Sequence, residues 1–240
     1  MLYDVYFNLT LFLEVARACM SAKPTVELFL DFDGTIINQD TAEIVLDRFG
    51  DPDWILIDDA HEKGEISLEE SIAREFASLK APEQEIIKEV SRVAQFRPNF
   101  DALVEFCKGR HLSVKVVSGG LDFLIRHFLG RDEWLNFIEI HCPKTQFTKE
   151  GYSLTFPPRF DPRSKNFKDD LVKQERKNGI RVFFVGDGIG DLSAAKESDF
   201  VFAVKESRLA ELCREQNVSF QEMDDFSQVV AALSQRIPEM

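Results

Sequence analysis

The chain predicts an α/β protein: a Rossmann-like parallel sheet with helices on both faces, plus an inserted all-helical cap. Three observations carry that expectation. Short apolar runs alternate with helical spacing through the second half of the chain, the pattern of βαβ units whose sheet is covered on both sides. One more apolar run, Val26-Glu27-Leu28-Phe29-Leu30, stands ahead of a long stretch with helical spacing alone. The 240 residues are 44% apolar, enough for one large core with a modest second unit.

The elements follow in order. Val26–Leu30 runs into an Asp/Gly turn and reads as a buried strand. Between about Asp40 and Val93, Ile44, Val45 and Phe49 recur at helical spacing, as do Ile66, Leu68, Ile72, Phe76 and Leu79. Gly50-Asp51-Pro52, Glu62-Lys63-Gly64 and Lys80-Ala81-Pro82 divide this stretch into several short helices. Leu112–Val117 is the next strand, then a helix over Leu121–Leu129. A β-rich segment, Asn136–Pro158, turns at Lys149-Glu150-Gly151. A helix over Ser164–Asn178 leads into the apolar strand Arg181–Val185. Residues 191–197 are helical, Phe200–Val204 is a strand, 206–216 are helical, and 218–235 hold a short strand and a helix. The expected division is an N-terminal extension over 1–25, a core over 26–38 and 97–240, and a helical cap over 39–96.

Charge and composition narrow the partners. The formal net charge is −13, and Lys and Arg are scattered among acids, as in Lys173-Gln174-Glu175-Arg176-Lys177. That field repels a nucleic-acid backbone but leaves room for a small phosphorylated molecule beside a few local cations. Residues 1–20 are apolar-rich, yet Asp4 precedes the run and Glu14 interrupts it, so neither a signal peptide nor a membrane span is expected. An amphipathic leading helix is one reading, and a start at Met20 the other. Cys19, Cys107, Cys142 and Cys213 form no CxxC pair and read as reduced thiols of a cytoplasmic protein; the four histidines have no metal-ligand spacing.

In open parallel sheets, ligands bind beyond the carboxyl ends of the strands. Three expected strands end in polar or glycine-rich turns: Asp31-Phe32-Asp33-Gly34-Thr35, Ser118-Gly119-Gly120 and Gly186-Asp187-Gly188-Ile189-Gly190-Asp191. Asp31 and Asp33, two apart, can point to the same side of a strand end. Carboxylates this close persist when a cation binds or one is protonated. An oxygen-rich Mg²⁺ site from Asp31, Asp187 and the Asp33 carbonyl fits that chemistry, with Asp191 holding a metal-bound water. Taken alone, the Asp31 turn also reads as side chains bonded to backbone, and Asp191 as a helix cap. Ser118 and the following N–H groups, at a helix start, suit phosphate oxygens. At 4 Å and an effective dielectric of about 20, two unit charges interact by about 4 kcal/mol. A carboxylate meeting a phosphate dianion therefore needs cations. Besides the metal, Lys168 is the candidate, because Leu171 and Val172 share its helix face, with Lys165 as its rival.

These motifs, in this order, resemble the haloacid dehalogenase (HAD) superfamily. Asp31-Phe32-Asp33-Gly34-Thr35 resembles its nucleophile motif, Val116-Val117-Ser118-Gly119-Gly120 its second, Lys168 its third and Gly186–Asp191 its fourth. The helical insert resembles the cap of the phosphoserine phosphatase-like branch. The run Asp31–Ile36 with Asp40, the Ser118–Phe123 segment and the Asp191–Lys196 segment are most similar to MtnX-type (2-hydroxy-3-keto-5-methylthiopentenyl-1-phosphate) phosphatases of methionine salvage. The resemblance implies a Mg²⁺-dependent phosphatase. Asp31 would be the nucleophile and Asp33 the acid/base. Ser118, Gly119 and Lys168 would bind phosphate, and Asp31, Asp33, Asp187 and Asp191 would serve the metal. The departures fall on specificity. Asp40 stands where phosphoserine phosphatases carry a glutamate, Glu75 (with Arg74 adjacent) where they carry a substrate-binding arginine, and Gly190 where they carry an asparagine. Phe160–Arg163 stands where MtnX-type enzymes often have a cysteine-rich segment. Three other activities share parts of this pattern: phosphoserine phosphatase, phosphotransferase or phosphomutase, and a non-catalytic metabolite-binding protein. A dehalogenase would have no use for Asp33.

Overall fold

The computed structural model describes residues 26–237. The expected 1–25 extension, with its leading helix or Met20 start, lies outside them. The main sheet has six strands in the order β3-β2-β1-β6-β7-β8, every pair parallel. Its strands are β1 (Val26–Leu30), β2 (Ser113–Val117), β3 (Ile138–His141), β6 (Arg181–Gly186), β7 (Phe200–Val204) and β8 (Gln221–Met223). An antiparallel hairpin, β4 (Lys144–Thr148) and β5 (Gly151–Thr155), stands apart, turning at the expected place.

β1 is buried along its whole length because both of its faces are covered. Alternation along the strands sorts side chains into two cores. Leu28, Leu30, Val114, Val116, Phe183 and Val185 pack on one side. Phe29, Val117, Val182 and Phe184 pack on the other, against Phe167 and Val172. The buried Lys115 of β2 is matched: its Nζ lies 2.8 Å from Glu27 on the neighbouring β1 and 2.6 Å from Glu175 on the covering helix.

The helices are α1 (Thr41–Phe49), α2 (Trp54–Glu62), α3 (Leu68–Ala77), α4 (Glu83–Val90), α5 (Phe100–Gly109), α6 (Asp122–Leu129), α7 (Phe167–Lys177), α8 (Leu192–Glu197), α9 (Arg208–Glu215) and α10 (Phe226–Arg236). The first four form the insert. Ile37 pairs antiparallel with Phe96, and Asn38 N–H donates to the Gln95 carbonyl at 2.9 Å, so the two connections to the insert run side by side. Hairpin β4–β5 abuts the insert: the Tyr152 hydroxyl donates to the Ala81 carbonyl at 3.1 Å. There Gly151, at φ 126°, passes so close to the Ala77 carbonyl that a Cβ would sit 2.0 Å from it.

Two local readings differ from expectation. Helix α5 was not foreseen; it follows Asn99, whose φ is +65° and whose side chain makes no cap, and it is held by Phe100, Leu103, Val104 and Cys107 packing inward. Helix α7 begins three residues later than expected. Asp170 accepts bonds from Phe160 N–H, Asp161 N–H and Ser164 Oγ, tying 160–164 into a loop. Asn166 and Asp169 then close a capping box that starts the helix.

Candidate active site

The order of the central strands explains the site. β1 lies between β2 and β6, so the turns that follow these three neighbours meet at one end of the sheet. Asp31 continues the ladder, its N–H donating to the Val185 carbonyl at 2.9 Å. The chain then folds into a tight loop closed by Ile37 N–H on the Phe32 carbonyl at 3.0 Å. Gly34 has φ +65°, and a Cβ there would lie 2.1 Å from Asp187. Only glycine admits both that conformation and that neighbour. Gly120 and Gly186 are constrained likewise: a Cβ would fall 2.3 Å from Asp33 and 2.4 Å from Asp191.

Asp31, Asp187 and Asp191 each present an oxygen within 4.8 Å of the others. Asp187 is steadied by Thr35 Oγ1 at 2.7 Å. Asp191 accepts the N–H groups of Asp187 and Gly188 at 3.1 and 3.2 Å, an anchoring role at the turn. Lys168 Nζ stands 3.0 Å from Asp31 and 2.7 Å from Asp191, buried between them. Lys165 is exposed. Asp33 takes bonds from the N–H and hydroxyl of Thr41, at the start of α1, and from Ser118 Oγ at 3.5 Å. Ser118 Oγ also accepts the Gly120 N–H at 2.9 Å, which fixes the second turn.

The electrostatics follow from burying these acids together. Burial raises Asp31 well above the ordinary carboxylate range; Asp191 adds to the rise and Lys168 offsets it. Asp187 is pushed to about 8 by burial and then by Asp191. Asp33 is pushed to about 7, by burial and then by Asp40, despite the bonds from Thr41. Burial works against the Lys168 charge, but Asp191 and Asp31 more than offset it and hold the ammonium protonated. Three clustered carboxylates with a single ammonium are an all-oxygen donor set short of positive charge, which fits a hard divalent cation.

The insert roofs this cluster. A cavity of about 170 Å³ is lined below by Asp31, Asp33, Ser118 and Lys168 and above by residues of α1–α3, including Asp58, His61 and Glu75. Ile72 packs so closely on Gly119 that a Cβ would lie 2.5 Å from it, and Leu68 occupies the space beside Gly190. Glu69 accepts the Phe167 N–H at 3.0 Å, joining α3 to the start of α7.

The specificity candidates separate here. Asp40 lines the cavity and also caps α1, accepting from Ala42 and Glu43 N–H at 2.8 and 3.1 Å. Glu75 lines it too, buried and bonded to Ser71 Oγ at 2.7 Å. Arg74 does not line it: its side chain is 53% exposed and pairs with Glu70 one turn back. One site residue escaped sequence reading. Arg97, just after the insert, is buried and donates to the Thr35 and Gly34 carbonyls at 2.8 and 2.5 Å and to the Asp224 carbonyl at 3.1 Å. A lone arginine beside a proline carries no motif; only its position at the return from the insert could have flagged it.

A parallel sheet with a buried aspartate–lysine pair and a carboxylate cluster at its switch point, all under a helical roof, is the architecture of a capped enzyme of the α/β class. The chain belongs to the haloacid dehalogenase-like hydrolase family, which it matches over residues 28–196. It is 28% identical over 214 residues to the 2-hydroxy-3-keto-5-methylthiopentenyl-1-phosphate phosphatase of Bacillus cereus (strain B4264), covering 87% of this chain and 96% of that protein. Among solved structures it is similar to a HAD-family hydrolase from Salmonella enterica serovar Typhi (TM-score 0.68, 17% identity, 89% of this chain and 73% of that one). It is also similar to a phosphoserine phosphatase holding an analogue of its phospho-aspartyl intermediate (TM-score 0.64, 20% identity, 88% and 99%).

Proposed function

We propose that the protein is a Mg²⁺-dependent phosphomonoester hydrolase acting on a small phosphorylated metabolite through an aspartyl-phosphate on Asp31. The observation that carries this reading is the Asp31 carboxylate, held at a strand end within 3.0 Å of a buried Lys168 and beside Asp187 and Asp191. Asp31, Asp187 and Asp191, with the Asp33 carbonyl, would hold Mg²⁺, which when bound supplies positive charge to the phosphoryl oxygens.

Lys168, the Ser118 hydroxyl and the Gly119 N–H orient the phosphoryl group in line with Asp31. An Asp31 oxygen forms a bond to phosphorus as the bond to the leaving oxygen breaks. Asp33 donates its proton to that oxygen, so the alcohol departs neutral. Its pKa near 7 lets it serve as acid and then as base around neutral pH. Asp33 next takes a proton from water, whose oxygen attacks phosphorus and frees Asp31 and inorganic phosphate. The roof formed by α1–α3 keeps bulk water from the intermediate.

The Bacillus cereus relative is named a 2-hydroxy-3-keto-5-methylthiopentenyl-1-phosphate phosphatase, and at 28% identity that ester is one member of the substrate class open to this chain. The test of the reaction is turnover of p-nitrophenyl phosphate with and without chelator, in the wild type and in Asp31→Asn. Chelator should abolish turnover and Mg²⁺ restore it, while Asp31→Asn should lower kcat by roughly a thousandfold or more. Full activity in either arm would overturn the scheme.

A further inference from the structure

Resting on the hydrolase reading, one contact between the insert and helix α7 bears on the placement of Lys168. That lysine, whose ammonium stands beside Asp31, is the second residue of α7. Its position depends on how the first turn of the helix is held. A helix leaves its first amides without partners of its own. Here Asn166 Oδ1 takes the N–H groups of Lys168 and Asp169 at 2.9 and 3.2 Å, and the Asn166 carbonyl takes that of Asp170 at 3.3 Å. The Phe167 N–H is the one left over. Its acceptor comes from the insert: Glu69 Oε1 at 3.0 Å, 98 residues earlier in the chain.

The neighbouring contacts make this joint specific. Leu68, next to Glu69, packs against the core cluster of Phe29, Val117 and Phe167. It also fills the space beside Gly190, where a Cβ would lie 3.0 Å from it. The Gly190 carbonyl accepts Asn166 Nδ2 at 3.0 Å, and Asp191, the next residue, is the second partner of Lys168 at 2.7 Å. On the other side, Arg159 donates to the Ser164 carbonyl at 3.0 Å, and its Nε lies 3.9 Å from Glu69. A carboxylate at a helix N-terminus is favoured by the helix dipole as well as by that cation. Glu69 is largely enclosed, and its Oε2 is shut from water with no hydrogen-bond partner among the described residues. The start of α3 is fixed by Ser67 Oγ, which accepts the Glu70 N–H at 3.1 Å. The first turn of α3 therefore touches both sides of the Lys168 setting: the helix that carries the lysine and the turn that carries its partner.

We infer that Glu69 is a positioning residue: seating the insert completes the first turn of α7 and so sets the Lys168 ammonium against Asp31 for phosphoryl transfer. With the roof lifted, the Phe167 N–H exchanges its acceptor for water, and Asn166 alone holds the turn that bears Lys168. The charge that steadies the phosphoryl group is then in register only when the roof is down. Closure is coupled to the chemistry through one hydrogen bond.

The test is the steady-state kinetics of p-nitrophenyl phosphate with Mg²⁺ in Glu69→Ala, Glu69→Asp and Glu69→Gln, each with and without Lys168→Ala. Alanine, and aspartate with its side chain one methylene shorter, should lower kcat by about tenfold to a hundredfold while KM moves by less than about threefold. Glutamine keeps an oxygen for the Phe167 N–H and should recover most of that loss, to within about threefold of the wild type. In the Lys168→Ala background the same changes at Glu69 should alter kcat by less than about threefold, because their effect passes through the lysine. Hydrogen exchange of the peptide over 166–171 should quicken in Glu69→Ala and not in Glu69→Gln, and this readout with the order of the three single variants decides the matter if Lys168→Ala turns over too slowly to measure. A loss confined to KM, an equal loss in glutamine and alanine, exchange unmoved by alanine, or a full further loss on top of Lys168→Ala would overturn the inference and leave the hydrolase reading intact. No turnover by the wild type would overturn both.

Discussion

Asp31, Asp33 and Asp187 are held in a state that a folding chain alone would avoid, since each is raised by burial before any other cause. This is the trade of stability for function that active sites commonly make. Without a metal, removing one of these charges should therefore help the fold. Asp187→Asn is expected to stabilise the chelator-treated protein by about 1–3 kcal/mol, read from the denaturant midpoint, while removing the stabilisation by Mg²⁺. A destabilised metal-free variant would show that the cluster is not strained. Asp33→Asn should slow phosphoserine-type esters more than p-nitrophenyl phosphate, whose leaving group needs little protonation, and an equal loss on both would remove the acid role. Much of this scale was legible beforehand. Strand-end turns bearing Asp31, Asp33, Ser118, Asp187 and Asp191 announced themselves by type and order, and Lys168 was favoured over Lys165 by its helix face. The direction of Arg74 was not legible, because one position along a helix rotates a side chain by about 100° and the facing element is unknown from sequence.

At the scale of elements, the site depends on how loops are clamped and how the insert is seated. Arg97 binds two carbonyls of the Gly34–Thr35 loop and one of Asp224, so it ties the turn after β1 to the far edge of the sheet. Arg97→Ala should cost about 2–4 kcal/mol of stability and lower kcat, and Arg97→Lys should restore little, because an ammonium cannot reproduce the fork. Recovery by lysine would make the site one of charge alone. Gly119→Ala should act through the insert: the added methyl meets Ile72, so the roof must lift. The expectation is a fall in kcat/KM of about tenfold or more with little change in the denaturation midpoint; unchanged kinetics would show that the roof does not close on the second turn. Such clamps are poorly legible because they join residues far apart in sequence through backbone carbonyls, which have no residue signature. Helix α5 was missed for a related reason: it begins without a side-chain cap and is stabilised by packing on α10, through Phe100 and Phe226 at 5.4 Å between ring centres.

The whole molecule joins a six-stranded parallel sheet to a four-helix insert that sits over one end of it, and no helix among the described residues is long and apolar enough to cross a membrane. Its pH response follows from the raised acids. Between their unfolded pKa near 4 and folded values of about 7 for Asp33 and Glu75 and about 8 for Asp187, the native state holds more protons than the unfolded chain. Stability of the metal-free protein should therefore fall as pH rises from about 5 to 8, and saturating Mg²⁺ should flatten that slope. Thermal unfolding across that range, with and without the ion, checks the sign. The central claim is the covalent intermediate on Asp31. Rapid acid quench of Asp33→Asn during turnover of p-nitrophenyl phosphate, followed by peptide mass mapping, tests it most directly. One phosphoryl group is expected on the peptide containing Asp31, absent when Asp31 is also changed to Asn. Steady turnover with no such adduct, or a phosphoryl group on another residue, would contradict it.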